Sequence, residues 1–479
     1  MFGDLENYYD DEETLELLRR YKEMIDNKHH DFFDLYEFEN LINYYTEQYN
    51  FKDALKVIAV AIKQHPTSTT LKLRHAQLLI ESFKPARALR ILKSIMHEEA
   101  SNTELHLAMG IAYNMIGKFA NARQSFNRTL KYCNDLKDEV AYNIAQSFMQ
   151  LNLLNEAVKY LLLAHYYNNS NILVLYDLGM CYERLGNNEK AAVWYNKYLD
   201  LDPFAEHVWN NLGIIYSALG NFRQAEEAFD FSISLNPQFI PAYFYKADLY
   251  INNGKIQEAI DVYNDLIVED TSNTRAMCNL ANCHIQTGNY QEALKLFRNS
   301  LEISCDCADA LYGTGVVYFR QKKFSLSINQ LKKAISIQPD ISDYWVMLGE
   351  VYFRTRRLNK AIDAFSKASE LNPDDMEAKF SCAQALFKKK RIHEAIWLLM
   401  RIYEKQPDNP RVNYRLAAYY VYQQNLFEAQ KYLKRALFLD YREHVEMFRH
   451  YPKTKTVPSF RSIIDNFGQK TDMLLKIRK

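Results

Sequence analysis

Apolar residues recur along this chain three and four positions apart, and the stripe they make stops and restarts with a fixed period. In one stretch they fall at Trp209, Leu212, Ile215, Tyr216 and Leu219, and then, after a short polar break, at Ala225, Ala228, Phe229 and Ile233. Such spacing puts each set on one helix face. Small residues mark the period: Ala54, Ala88, Ala122, Ala157, Ala191, Ala225, Ala259, Ala293, Ser327, Ala361, Ala395 and Ala429 lie 34 residues apart, with one step of 35. A second row runs twelve residues ahead: Ile42, Ala76, Gly110, Ala145, Gly179, Gly213, Ala247, Ala281, Gly315, Gly349, Ala383 and Ala417. Two helices per unit are therefore expected to meet where neither has room for a large side chain. No strand-like alternation lies between the turn signals, so the chain reads as all-α.

Punctuation falls where this scheme needs it. Gly117, Gly186, Gly220, Gly254 and Gly288 share one position between the two helices of a unit, where a left-handed residue ends a helix. Pro66, Pro203, Pro237, Pro339, Pro373 and Pro407 precede the next unit, since proline cannot continue a helix interior. Each pair has an apolar stripe too wide for itself to cover, so neighbouring pairs must stack to bury a shared core. The units run 35–68, 69–102, 103–137, 138–171, 172–205, 206–239, 240–273, 274–307, 308–341, 342–375, 376–409 and 410–443.

Trp209, Leu212, Gly213, Tyr216, Ala225, Phe229 and Pro237 fall where the tetratricopeptide repeat (TPR) places its signature residues. So do Trp345, Leu348, Gly349, Tyr352, Ala361, Phe365, Ala368 and Pro373. The chain resembles a TPR-only protein of about twelve repeats, and the resemblance covers residues 35–443. It implies a right-handed α-solenoid, a superhelix of helix-turn-helix repeats closed by terminal capping helices. At the amino end, residues 1–34 form an acidic cap. Its amphipathic helix over 11–28 carries Leu15, Leu18, Tyr21 and Ile25 on one side. Residues 444–479 supply the other cap through Val445, Phe448, Val457, Phe460, Ile463, Ile464 and Phe467, followed by a basic tail.

The 479 residues hold 59 Lys and Arg and 59 Asp and Glu, unevenly spread. From Met1 to Cys307 there are 28 basic against 41 acidic residues, and from Ala308 onward 31 against 18. This asymmetry suits steering of an acidic partner to the carboxyl-terminal half, or head-to-tail self-association. No run of about 18 apolar residues occurs, and the acidic start MFGDLENYYDDEE does not read as a secretory signal. A cytoplasmic protein without membrane insertion is expected. Seven cysteines, an odd number with Cys133, Cys181 and Cys382 dispersed, argue for reduced thiols. The nearest approach to a metal site is Cys278, Cys283, His284, Cys305 and Cys307. Cys278 and Cys283 diverge around their helix while Cys305 and Cys307 lie at the far end of the pair, so no zinc site is expected.

No catalytic or cofactor motif is present. Gly313-Thr-Gly315 lacks the third glycine and the preceding strand of a dinucleotide loop. With no enzyme and no cofactor expected, a binding surface is what is left. The resemblance implies that the first helix of each pair lines the concave face. Asn40, Asn143, Asp177, Asn211 and Asn279 share one outward position there, interrupted by Tyr245 and Gly313. They resemble the asparagine ladder with which some TPR arrays hold a peptide backbone, because an amide both donates and accepts. A second set, Phe319 and Arg320, Phe353 and Arg354, Phe387 and Lys388, repeats in three successive units and is followed by Lys322-Lys323, Arg356-Arg357 and Lys389-Lys390-Arg391. Basic and aromatic rows suit an acidic peptide with apolar side chains. Glu350, Asp363 and Glu370 weaken the patch for nucleic acid. The function expected is that of a non-catalytic adaptor holding a partner segment in the groove; the alternative is a self-associating structural subunit.

Overall fold

A computed structural model describes residues 12–27 and 31–477, and among them there are helices and turns but no strand. The chain divides into two compact units, one ending at Ala242 and one beginning at Tyr243. In the first, α1 (Glu12–Asn27) precedes the pairs α2 (Leu35–Glu47) and α3 (Phe51–Gln64), α4 (Thr69–Glu81) and α5 (Pro85–Ile95), α6 (Thr103–Met115) and α7 (Phe119–Tyr132). They are followed by α8 (Lys137–Gln150) and α9 (Leu154–Tyr167), α10 (Ile172–Arg184) and α11 (Asn188–Leu201), α12 (Glu206–Ala218) and α13 (Phe222–Leu235). Helix α14 (Ile240–Asn252) contains the division. The second unit continues with α15 (Ile256–Glu269), α16 (Thr274–Gln286), α17 (Tyr290–Ile303), α18 (Ala308–Arg320), α19 (Phe324–Ile337), α20 (Ser342–Arg354) and α21 (Leu358–Leu371). It ends with α22 (Met376–Lys388), α23 (Ile392–Lys405), α24 (Pro410–Tyr422), α25 (Leu426–Leu439), α26 (His444–His450), a 3₁₀ turn and α27 (Pro458–Ile477).

First helices are often started by a side chain that accepts from the open backbone N–H groups of the first turn. Asp34 and Glu37 form a reciprocal capping box, each carboxylate taking the other's N–H at 2.8 Å. Ser68, Asn102, Asn171, Asn273, Asp375 and Asn409 cap their helices in the same way. At the turn between the two helices of a unit the five glycines have φ between +73° and +82°. The remaining units keep the same left-handed turn without glycine, through Tyr49, Phe83, Asn152, Lys322, Arg356, Lys390 and Gln424. The turn is thus set by the helix pair, not by glycine.

Within a pair the two small rows do meet: Ser327 Oγ donates to the Gly315 carbonyl at 2.8 Å. The first-helix residue also seats a large side chain from the second helix, which the spacing alone did not reveal. A Cβ placed on Gly213 would lie 2.6 Å from Phe229, and Gly110, Gly179 and Gly349 stand in the same relation to Phe126, Tyr195 and Phe365. Successive pairs then stack, with first helices also touching along the series α4, α6, α8 and again along α16, α18, α20, α22.

The caps bury most, but not all, of the apolar residues expected of them. Leu17, Leu18, Tyr21 and Met24 are the buried apolar residues of α1, while Leu15 and Ile25 are half exposed. The inward face keeps Leu18 and Tyr21 of the predicted stripe and replaces Leu15 and Ile25 with Leu17 and Met24, in one cluster with Phe33 and Phe38. Residues 1–11 and 28–30 of the predicted cap lie outside the described residues. At the other end Phe460, Val457 and Ile464 are buried with Met447 and Tyr451, whereas Val445 is exposed.

Candidate functional site

The outward positions of the first helices divide into three groups. In the ladder, Asn143 is exposed and Asn40 half-buried, while Asp177, Asn211 and Asn279 bond within the protein. Asp177 is buried and accepts from Gln146 Nε2 at 2.6 Å and from the Tyr142 hydroxyl. Burial pushes its carboxyl above the usual range, although both hydrogen bonds act against that shift. Asn211 donates to the Tyr176 hydroxyl at 3.5 Å and Asn279 to the Tyr263 hydroxyl at 3.2 Å. Gly313 interrupts the row for a steric reason: a Cβ there would lie 2.1 Å from the Phe297 ring.

The basic and aromatic rows are also partly spent. Phe387 stacks on Tyr419 of α24 at 4.4 Å and meets Tyr422 of α24 and Tyr451 of the cap edge-on, half-buried against the core. It was expected to turn toward the groove or its rim, and tyrosines of α24 and the cap cover part of its ring. Phe319 and Phe353 are half-buried against the same core. Lys388 Nζ lies 4.6 Å over the Phe353 ring, and Arg354 Nε pairs with Glu350 at 2.7 Å. Arg320 is exposed. Lys322, Arg356 and Lys390 occupy the left-handed turn.

A third group, apart from Asn143, was not predicted. Helices α4, α6 and α8 lie side by side, and the space across them is a groove of about 830 Å³. Its floor is an apolar stripe on α6, Leu107, Ala108, Ile111 and Met115, joined by Ile80 of α4. Amides flank the stripe on both sides, Gln77 on α4 and Asn143, Gln146 and Gln150 on α8. Glu81 and Glu104 supply the only charges in its lining, and burial holds the Glu81 carboxyl above its ordinary range. Tyr49 and Phe83 stand at the rim, 83% and 84% exposed, at left-handed turns with φ of +54° and +56°. For a bulky side chain that backbone is an outlier. The sequence did hold a signal: the position of Met115 is polar in nine of the other eleven units, from Glu47 to Lys388.

The cysteines come closer than spacing suggested. Cys278 Sγ lies 3.9 Å from Cys307 Sγ, with Ser300 Oγ in reach of both. The two residues belong to successive first-helix starts, so stacking brings them together although their own helices do not. Burial raises the Cys278 thiol to about 12. Among the described residues no three His, Cys, Asp or Glu side chains are grouped to hold a metal ion, and no helix is long and apolar enough to cross a membrane.

Comparison with known proteins agrees with the repeat register. The family model described as cytochrome c-type biogenesis protein H TPR domain matches residues 322–439, and tetratricopeptide repeat models match 172–205, 208–239, 241–270 and 272–340. No curated protein matches the chain. Among solved structures, yeast Tom70 is similar at 16% identity and a TM-score of 0.45, over 89% of this chain and 98% of that one. The APC/C hetero-tetramer Cut9-Hcn1 has 16% identity and a TM-score of 0.39, over 84% and 90%. YrrB, described as a TPR protein with an unusual peptide-binding site, has 24% identity and a TM-score of 0.34, over 39% of this chain and 96% of its own. Matched segments run almost unbroken from residue 172 to residue 439 in the register of the helix pairs, and the chain belongs to the tetratricopeptide repeat family.

Proposed function

We propose that this chain is a non-catalytic protein-interaction scaffold, and that the α4–α6–α8 groove seats a segment of its partner. One observation carries the reading: an apolar stripe bounded on both sides by amides, where other units have polar residues in place of Met115. Bulky side chains of the partner bury against Leu107, Ile111 and Met115, at about 1.5–3 kcal/mol each when fully covered. Gln77, Asn143 and Gln150 can bond the partner's backbone, since each amide offers both a donor and an acceptor. Tyr49 and Phe83 close over the segment from the rim, which would explain why large rings are kept at strained turns.

In the second unit, Phe319, Arg320, Phe353, Arg354 and Lys388 form a basic edge on the first helices that suits an acidic stretch of a partner. Asn211 and Asn279, with one amide hydrogen each given to a tyrosine, retain their carbonyl oxygens for a ligand N–H. These contacts are secondary to the groove.

The test places a photo-crosslinking amino acid at Ile111 of the full chain in its native cells, with a second placement at Lys295 as control. A protein captured from Ile111 alone, and lost on Met115→Glu with the helical melt unchanged, supports the groove. Capture that survives Met115→Glu but disappears on joint Arg320→Glu, Arg354→Glu and Lys388→Glu substitution would transfer the site to the basic edge. No specific capture from either set overturns the scaffold reading.

A further inference from the structure

On the second helices of the carboxyl-terminal unit lies a surface that the groove on α6 does not involve. Trp397 of α23 is 61% exposed, at a position that is charged or polar in ten of the other eleven units, Asp363 and Lys431 among them, and Val193 in one. The other three tryptophans are committed to the fold. Trp209 and Trp345 donate to the carbonyls of Pro203 and Pro339 at 2.8 Å, and Trp194 is buried against His165. Trp397 instead stands beside an open groove of about 560 Å³ between α21 and α23, over Ile362, Leu386 and Ile402, with the Arg401 guanidinium 5.1 Å from its ring. A large ring that no core contact requires, with arginine beside it, is the composition of an interface hot spot.

Charge narrows what can sit there. The two carboxylates of the groove are already paired, Glu370 with Lys367 at 3.2 Å and Glu394 with Arg391. Asp363 faces Arg391 from α21. Lys379, Arg401 and Lys405 line the groove without a carboxylate partner among the described residues. An acidic segment with aromatic or aliphatic side chains is therefore the matching ligand, and this chain contains one. Residues 1–13, MFGDLENYYDDEE, hold six carboxylates, no cation, and Phe2, Leu5, Tyr8 and Tyr9.

We propose that the Trp397 groove takes the acidic segment 1–13 of a second copy of this chain, joining molecules head to tail. The segment's carboxylates meet Lys379, Arg401 and Lys405, and one of its rings covers Trp397. Such a contact is heterologous, so each copy offers both halves and assembly grows with concentration unless a ring closes. The pairing is electrostatic at its rim, so salt weakens it.

Light scattering on the full chain should show a mass that rises with concentration, falls in high salt, and returns to one copy when a synthetic peptide of residues 1–13 is added. The same peptide, fluorescein-labelled, should bind saturably to a chain lacking residues 1–11. Trp397→Ala should weaken that binding about 30-fold, as loss of a hot-spot side chain does. Joint Arg401→Glu and Lys405→Glu substitution should do likewise, both with unchanged melts because the three residues are exposed. Met115→Glu should leave peptide binding intact, which separates this surface from the groove on α6. A peptide that fails to bind, or a full chain that has the mass of one copy at every concentration, overturns the proposal. So does peptide binding that survives both groove variants.

Discussion

The clearest quantitative consequence of the fold concerns the ring seated on a glycine. In Gly213→Ala the added methyl would lie 2.6, 2.7 and 2.9 Å from three carbons of Phe229, against a comfortable separation of about 3.5–4.0 Å. Phe229 is 1% exposed and has no free space to retreat into, so the clash belongs in the upper part of the overpacking range, about 2–3 kcal/mol. Better helix propensity of alanine returns about 1 kcal/mol, leaving a net loss of about 1–2 kcal/mol. Phe229→Leu alone leaves a void under Gly213 and should cost about 1–2 kcal/mol. The double variant should cost less than either one. It recreates a combination the chain already uses, since Ala76, Ala145, Ala383 and Ala417 stand sixteen residues before Leu92, Leu161, Leu399 and Leu433, all fully buried. The coupling between the sites should be about 2 kcal/mol and favourable. Because a stack of repeats need not unfold as one, the readout is native-state hydrogen exchange of the α12 and α13 amides in the full chain. Additive losses in the double variant, or a Gly213→Ala chain that is simply more stable, would refute the seat.

Three further outcomes can be checked on the same protein. Gly220→Ala should cost about 1 kcal/mol because its φ is +74° with nothing nearby to relieve it, while Phe83→Gly should raise the melting temperature by relieving a strained turn and reduce capture from Ile111; a Phe83→Gly chain that melts lower would remove the strain argument. Asp177 is charged at neutral pH at a cost, since burial raises its folded pKa above the unfolded value. Stability should therefore recover as pH falls through the folded pKa toward the ordinary carboxylate value. Asp177→Asn should be more stable than the parent at pH 7, with the difference shrinking as pH falls across that window, and urea titrations in which the two chains run parallel would contradict this. Finally, alkylation followed by mass spectrometry at pH 8 should label exposed Cys305 first and Cys278 and Cys181 last, because both thiols are buried and raised, to about 12 and about 11; early loss of the Cys278 thiol would mean the α16–α18 contact opens.

The repeat was legible because burial repeats. Ala225, Phe229 and their equivalents must be small or large in fixed order for pairs to stack, so the sequence carries their pattern twelve times. Outward positions have no such constraint. Asn211 and Asn279 looked like a ladder because they share a register, yet whether an amide faces solvent depends on Tyr176 and Tyr263, which lie 35 and 16 residues away. Phe387 was taken for a groove residue because its neighbours in the row, Phe319 and Phe353, occupy the same register. It is half-buried as they are, but its ring also meets Tyr451 of the cap, and a periodic reading cannot see a contact made only once. The approach of Cys278 to Cys307 escaped for a similar reason: helix spacing describes neighbours on one helix, not across a stack.

Departures from the repeat are therefore more informative about function than the repeat itself. Where a unit follows the pattern, packing explains its residues and no partner is needed. Tyr49 and Phe83 depart at a cost, since glycine holds the same turn in five units without strain, and a bulky left-handed residue gives up about 1–2 kcal/mol. Met115 and Trp397 depart by leaving apolar surface in water where most other units place charge or amide. Neither change improves the stack, because the residues lie outside the cores of their helix pairs. Two of these departures converge on the rim and one on the floor of a single groove, while the fourth, on a second helix, sits beside three cations without a carboxylate partner among the described residues, Lys379 of α22 and Arg401 and Lys405 of α23. The surfaces carry opposite charge at their edges, Glu81 and Glu104 against Lys379, Arg401 and Lys405, so one ligand cannot satisfy both. A chain built this way can hold a partner on its first helices while its second helices are engaged elsewhere, and the two sites should respond independently to Met115→Glu and Trp397→Ala.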